Sequence, residues 1–159
     1  MSWVSNDAAA EREAARQQFL TFKLDDEEYG IGILNVQEIR CWSPVISIPH
    51  QPEWVLGVLD LRGVIVPIID LRRRFNLSPA KFGPATVVIV IRVSTGASDR
   101  TVGLVVDAVS EVYDVAQDAL HDLPDVGSNA ASEVVCGLAH TDGKTVILLD
   151  AMRLATQNC

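Results

Sequence analysis

Side chains able to do chemistry are few in this chain and lie far apart. The histidines, His50, His121 and His140, fit no His-x-x-x-His or other metal-ligand spacing and read as ordinary surface or loop residues. Cys41, Cys136 and Cys159 are odd in number and include no Cys-x-x-Cys. They read as reduced thiols of a cytosolic protein, not as a disulfide framework or a zinc site. Cys41 and Cys136 sit in strand-like runs, where a free thiol serves as a small hydrophobe, and neither has a paired histidine to make it a nucleophile. Asp25-Asp26-Glu27-Glu28 lacks the alternating oxygen ligands and central glycine of a calcium loop and reads as a solvated turn. There is no phosphate-binding loop and no Gly-x-Ser-x-Gly. Metals and other cofactors are not implied.

Two charged features remain. Arg72-Arg73-Arg74 is the only basic cluster; it reads as a solvated helix face in preference to an anion or partner patch. Arg62 stands at a predicted hairpin tip beside Gly63. It is either a turn arginine that adds solubility or an anchor for a protein partner, whose carboxylates its planar fork suits.

The elements that hold these residues are short strands. Phe19–Leu24 alternates Leu20, Phe22 and Leu24 with Thr21 and Lys23, a half-buried strand by its period of two. Similar runs follow at Tyr29–Ile33, Val36–Cys41, Gly57–Leu61 and Val64–Ile69. Pro67 cannot donate to a ladder, which predicts an edge or a bulge there. Asp70 caps a short helix, Leu71–Phe75. Thr86–Ile91 is apolar on both faces and so central. Further strands are expected at Thr101–Asp107, Val109–Val115, Val134–Thr141 and Thr145–Leu149, with a mobile loop over Pro124–Ser132. Residues 1–16 have helix formers and no apolar stripe, and are expected to be a frayed or disordered leader.

The chain repeats itself. Gly57, Gly63 and Asp70 recur as Gly137, Gly143 and Asp150, offset by 80 positions. Gly30, Val36, Glu38 and Ile39 recur as Gly103, Val109, Glu111 and Val112, offset by 73. Matching positions give these glycines and aspartates shared turn and cap roles, and argue against an acid/base pair of Asp70 with Asp150. Two copies of a unit of about five strands most easily bury their apolar faces by curling into two small barrels with a groove between them.

Composition narrows the function. Among 159 residues, 13 Lys+Arg face 21 Asp+Glu, for a net charge of −8; this disfavours nucleic acid as the main ligand. The longest continuous apolar run, Val87–Ile91, is far too short for a membrane span, and no secretory signal is visible.

Gly57-Val58-Leu59-Asp60-Leu61-Arg62-Gly63-Val64-Ile65-Val66-Pro67-Ile68-Ile69-Asp70-Leu71 resembles the signature stretch of the CheW-type chemotaxis coupling proteins, with Asp60 where that family usually has Asn. Phe19–Leu24, Glu28–Ile31, Val36–Ile39, Gly103–Asp107 and Gly137–Asp150 extend the resemblance from about Gln18 to Leu154. It implies a mainly β fold: two intertwined SH3-like five-stranded β-barrels with short helices and internal duplication. Residues 17–156 would then be one CheW-like domain, with barrels over about 25–82 and 83–150 and the first strand crossing to the second barrel. The resemblance implies no enzymatic activity and no cofactor. It implies a cytoplasmic signalling adaptor that couples the cytoplasmic tips of methyl-accepting chemoreceptors to the regulatory domain of the histidine kinase CheA. Such a protein meets the membrane only indirectly, through receptor arrays. On this resemblance Val36, Glu38, Ile39, Arg62, Val106 and Val109 would line a receptor-binding groove, and Trp42, Val45 and Gly57 would face the kinase. Two other readings are a small β-barrel enzyme with substrate in its groove and a nucleic-acid-binding barrel. The latter needs exposed aromatics and a basic groove.

Overall fold

Strands dominate the computed structural model, which describes residues 17–78, 82–121, 134–141 and 143–156. The leader expected over 1–16 and the loop expected over Pro124–Ser132 lie outside the described residues. The first hairpin joins β1 (Gln17–Leu24) to β2 (Glu27–Gly32) through Asp25-Asp26. A single 3-10 turn, Ile33–Asn35, leads into β3 (Val36–Cys41). A second hairpin joins β4 (Val55–Leu61) to β5 (Val64–Asp70), and α1 (Leu71–Arg74) follows at once. The second half repeats this series. A hairpin of β6 (Val87–Ser94) and β7 (Asp99–Val106) precedes β8 (Ala108–Val115) and a two-residue β9 (Leu120–His121). A last hairpin joins β10 (Val135–Thr141) to β11 (Lys144–Leu149), and α2 (Ala151–Thr156) closes the series.

These strands form two sheets, ordered β3-β6-β7-β5-β4 and β8-β1-β2-β11-β10-β9. Each sheet curls on itself because the chain beyond its edge strand crosses to the opposite edge. After β3, Ile46 bridges Val58 on β4 through two backbone hydrogen bonds of 2.9 and 2.8 Å. After β8, β9 pairs with β10 at Leu138 and Ala139. The result is two small barrels of the SH3-like kind. Their strands are exchanged reciprocally: the β1–β2 hairpin lies in the sheet of the second half, and the β6–β7 hairpin in the sheet of the first. A boundary between residues 82 and 83 therefore separates the two copies along the chain but does not separate the two sheets.

The duplication extends to irregularities. Register shifts fall between Val55 and Gly57 and again between Val135 and Gly137, 80 positions apart. The parallel pairs Ile68–Gly103 and Leu148–Gly30 are equivalent in the same way. β5 is an interior strand, not an edge. Pro67 is tolerated there because the parallel pairing with β7 begins one residue later, at Ile68. β6 is central and buried on both faces.

Three apolar clusters among the described residues hold the fold. Each barrel has its own small interior: Leu61, Val66, Ile68, Val88, Val90 and Val105 in one, and Phe19, Tyr113, Val115, Ala139, Val146 and Leu148 in the other. The larger cluster lies between the barrels and draws on both sheets; Phe22, Ile31, Ile89, Ile91 and Leu104 are fully buried in it.

Candidate functional site

The groove candidates lie on β3, the β4–β5 turn, the end of β7 and β8. Val36 pairs with Ile91 and Ile39 with Ile89, both core residues, so the two share the face that looks onto the inter-barrel core. They can do so three positions apart because β3 carries a bulge between Val36 and Glu38. The bulge turns Glu38 to the opposite face, across from Val90 of the barrel interior. Val36 is half-buried against the inter-barrel core, whereas Ile39 is 48% exposed. β8 repeats the arrangement. Val109 packs on the same core opposite Phe22, and Val112, the mate of Ile39, is likewise 48% exposed. Val112 was not among the residues singled out, although the 73-residue offset points to it. Here the bulge is held by Thr21, whose buried hydroxyl donates to the Glu111 carbonyl at 2.8 Å. Val106 departs from its expected role. It is 1% exposed and lies within the inter-barrel core, so it supports the wall from beneath and presents no side chain to a partner.

Arg62 is positioned by its turn. Its φ is +53° and that of Gly63 is +88°, the signs of a type I′ hairpin turn. The Asp60 carboxylate accepts from the Gly63 amide at 2.8 Å, so the aspartate does locally what an asparagine would. Its charge is not what pairs Arg62. The guanidinium reaches across to β3 and donates from Nη2 to Oε2 of Glu38 at 2.9 Å, while Arg40 stands 3.7 Å from the other oxygen. Glu38 is mostly covered and Arg62 is 74% exposed, so the pair presents its cationic side to solvent.

The kinase-surface candidates cluster on the segment that closes the first barrel. Trp42 packs against Phe82 with ring centroids 4.1 Å apart and the rings tilted by 32°, and Trp42 and Val45 both pack on the barrel interior. The exposed apolar residues beside them are Ile46 and Ile48. Gly57 is buried and differs from a contact residue: a Cβ there would lie 2.1 Å from the Ile46 carbonyl oxygen. It permits the bridge that closes the barrel. Gly137 does the same beneath His121.

The remaining structural residues act as caps and turns. Asp70 accepts from the Arg72 amide at 3.1 Å and Asp150 from the Arg153 amide at 3.3 Å; Arg73 and Arg153 pair with the same carboxylates. Gly143 has φ +72°, matching Gly63. Burial, then the charge of Asp150, pushes the Cys136 thiol pKa up, which disfavours the thiolate a nucleophile needs. The basic run is no solvated face. Arg74 is buried with its guanidinium 5.2 Å over the Trp54 ring, and Arg72 is held by carboxylates. Among the described residues no group of acidic, His and Cys side chains is placed to hold a metal.

The chain has close relatives. A family model described as a CheW-like domain matches residues 18–159. The chemotaxis protein CheW of Klebsiella aerogenes is 42% identical over 142 residues, covering 89% of this chain and 83% of that protein. The probable chemotaxis protein CheW of Rhizobium etli is 33% identical over 141 residues, covering 89% and 88%. The crystal structure of the scaffolding protein TtCheW from Thermoanaerobacter tengcongensis superposes with a TM-score of 0.78 at 32% identity, covering 87% of this chain and 91% of that one.

Proposed function

This chain belongs to the CheW-like domain family and is a chemotaxis scaffold protein, and from that premise we propose that it couples chemoreceptor tips to the histidine kinase CheA without catalysing a reaction itself. The observation that carries this reading is the surface above the inter-barrel core. Exposed Ile39 and Val112 stand on the core-facing side of two equivalent strands, and the Glu38–Arg62 pair lies on the neighbouring barrel rim. An amphipathic helical tip could set apolar side chains against these ridges, with the ion pair fixing its register. The regulatory domain of the kinase would meet the closing segment at Trp42 and Val45, with Ile46 beside them. On this reading the protein works in the cytoplasm and reaches receptor arrays through its partners; no helix among the described residues is long and apolar enough to cross a membrane.

The test is kinase autophosphorylation with receptor signalling fragments in membranes, CheA, and this protein present or absent. Stimulation should require all three components. Arg62→Glu should fold normally and lose most of the stimulation. An unchanged rate with the well-folded variant sinks the role of Arg62, and an unchanged rate without the protein sinks the coupling function.

A further inference from the structure

Arg72 makes a dense set of polar contacts, and neither capping nor solubility accounts for them. Its Nε and Nη2 donate to the two carboxylate oxygens of Asp107 at 2.7 and 2.8 Å. Nη2 also lies 2.6 Å from Oδ1 of Asp25, and Nη1 donates to the Ser78 carbonyl at 2.6 Å. The acceptors are tied to each other as well: the Asp25 amide donates to Asp107 Oδ2 at 2.9 Å, and the Asp107 amide donates to the Lys23 carbonyl at 3.1 Å. One side chain thus joins the helix that ends the first copy, the turn of the exchanged β1–β2 hairpin, and the β7–β8 corner. Arg72 is only 14% exposed, which leaves little room for water to take over these bonds.

The internal duplication supplies a comparison. By the 73 and 80 offsets, Asp107 corresponds to Leu34 and Arg72 to Met152. At that second corner Leu34 is 98% exposed and lines an open cleft of about 480 Å³ with Asn35, Val36 and Ser94. The fold therefore does not need a clasp to make this corner, yet one copy has it and the other has a cleft. The clasped corner lies directly between Val106 and Val109.

We infer that Arg72 is a positioning residue for the partner-binding groove, clamping the β7–β8 corner so that the Val109–Val112 wall stays fixed against the inter-barrel core. This rests on the groove reading above. Asp107 and Asp25 are its two grips, and Asp107 carries the bidentate share.

The test uses Arg72→Met, which installs the residue found at the equivalent position, and Arg72→Lys, which keeps the charge but loses the fork. Amide hydrogen exchange is read across residues 106–112 and, as the internal control, across 36–41. Affinity is measured for a soluble receptor-tip fragment and, separately, for the kinase regulatory domain. Arg72→Met should speed exchange at 106–112 alone and weaken tip binding by about tenfold, while kinase-domain binding stays within about twofold. Arg72→Lys should fall between it and the wild type. If Arg72→Met does not fold, the lysine variant decides by the same pattern. Equal changes in both strands and both affinities, or no change in any of them, overturn the inference. If the wild type itself does not bind the tip fragment, the groove reading fails, and the exchange pattern alone still decides whether Arg72 holds the corner.

Discussion

At Gly57 a single methyl group would meet the backbone of another segment. An added Cβ would stand 2.1 Å from the Ile46 oxygen and 2.7 Å from its carbonyl carbon, and neither atom can move without opening the bridge to Val58. Gly57→Ala should cost about 3 kcal/mol, near the upper end for overpacking, and should be read as a lower denaturant midpoint. A loss of kinase binding in this variant would then reflect a displaced closing segment. An unchanged midpoint would mean that the bridge is dispensable. Asp107 makes a second prediction at this scale. Burial works to raise its pKa, but the Arg72 hydrogen bonds, the Asp25 amide and the Arg72 charge together bring it below the ordinary value. A carboxyl whose folded pKa is lowered contributes stability that is full above its unfolded value, near 4, and is lost as pH falls through the folded value. Asp70 acts in the opposite sense. Burial raises its pKa against the amides and charges of Arg72 and Arg73, so its contribution is present at low pH and lost as pH rises. Between pH 5 and pH 2, stability should drop in the wild type, and the slope should be shallower in Asp107→Asn. Equal slopes would mean that the clasp carboxylate titrates as it does in the unfolded chain.

The β4–β5 hairpin separates stability from function at the level of an element. Its I′ turn demands positive φ at Arg62, which costs a side-chain-bearing residue about 1 kcal/mol relative to glycine. Arg62→Gly would relieve that strain. It would also lose an ion pair whose arginine is 74% exposed, typically about 0–1 kcal/mol, and add unfolded-chain freedom. The unfolding free energy should therefore change by less than about 0.5 kcal/mol, while receptor-dependent kinase stimulation falls sharply. A stimulation that survives would assign Arg62 to the turn alone. What was legible beforehand was local or repeated. Period-two runs gave the strands, Asp70 its cap and Gly63 its turn, because each depends on neighbours within a few residues. The two offsets made the duplication visible and with it the barrels. What stayed hidden depends on residues brought together from distant parts of the chain. Arg72 looked like a solvated helix residue because its grips, Asp25 and Asp107, lie in other hairpins. Val106 entered the groove set through the family resemblance, and strand periodicity cannot correct that, because it does not say which of two buried faces is the inter-barrel one. The Glu38–Arg62 pair needed the β3 bulge, which composition does not announce.

The reciprocal exchange of hairpins governs the molecule as a whole. The first copy supplies β3, β4 and β5 to one sheet, but the middle of that sheet is β6–β7 from the second copy; the other sheet is built in the converse way. Among the described residues each barrel interior contributes six buried apolar residues, whereas the cluster between the barrels contributes 19 and draws on both sheets. Most of the burial that drives folding is therefore unavailable until both copies are present. A pair of tandem barrels joined by a linker would behave as two units, each with its own core. This chain should behave as one. It should unfold in a single transition seen alike by far-ultraviolet circular dichroism and tryptophan fluorescence. Its long-range pairings should also make folding slow for its size. Cutting the chain after residue 82 tests the point. Residues 17–82 and 83–156, prepared separately, should each lack cooperative thermal unfolding, since each retains a hairpin without its sheet and a sheet without its centre. Mixed at equal concentration they should recover the β spectrum, with a midpoint that rises with concentration because association now supplies what one chain had supplied internally. Cooperative melting of either fragment alone at its own barrel's temperature would show that the exchanged hairpin is an ornament on a self-sufficient barrel, and that the two halves need each other only for the groove.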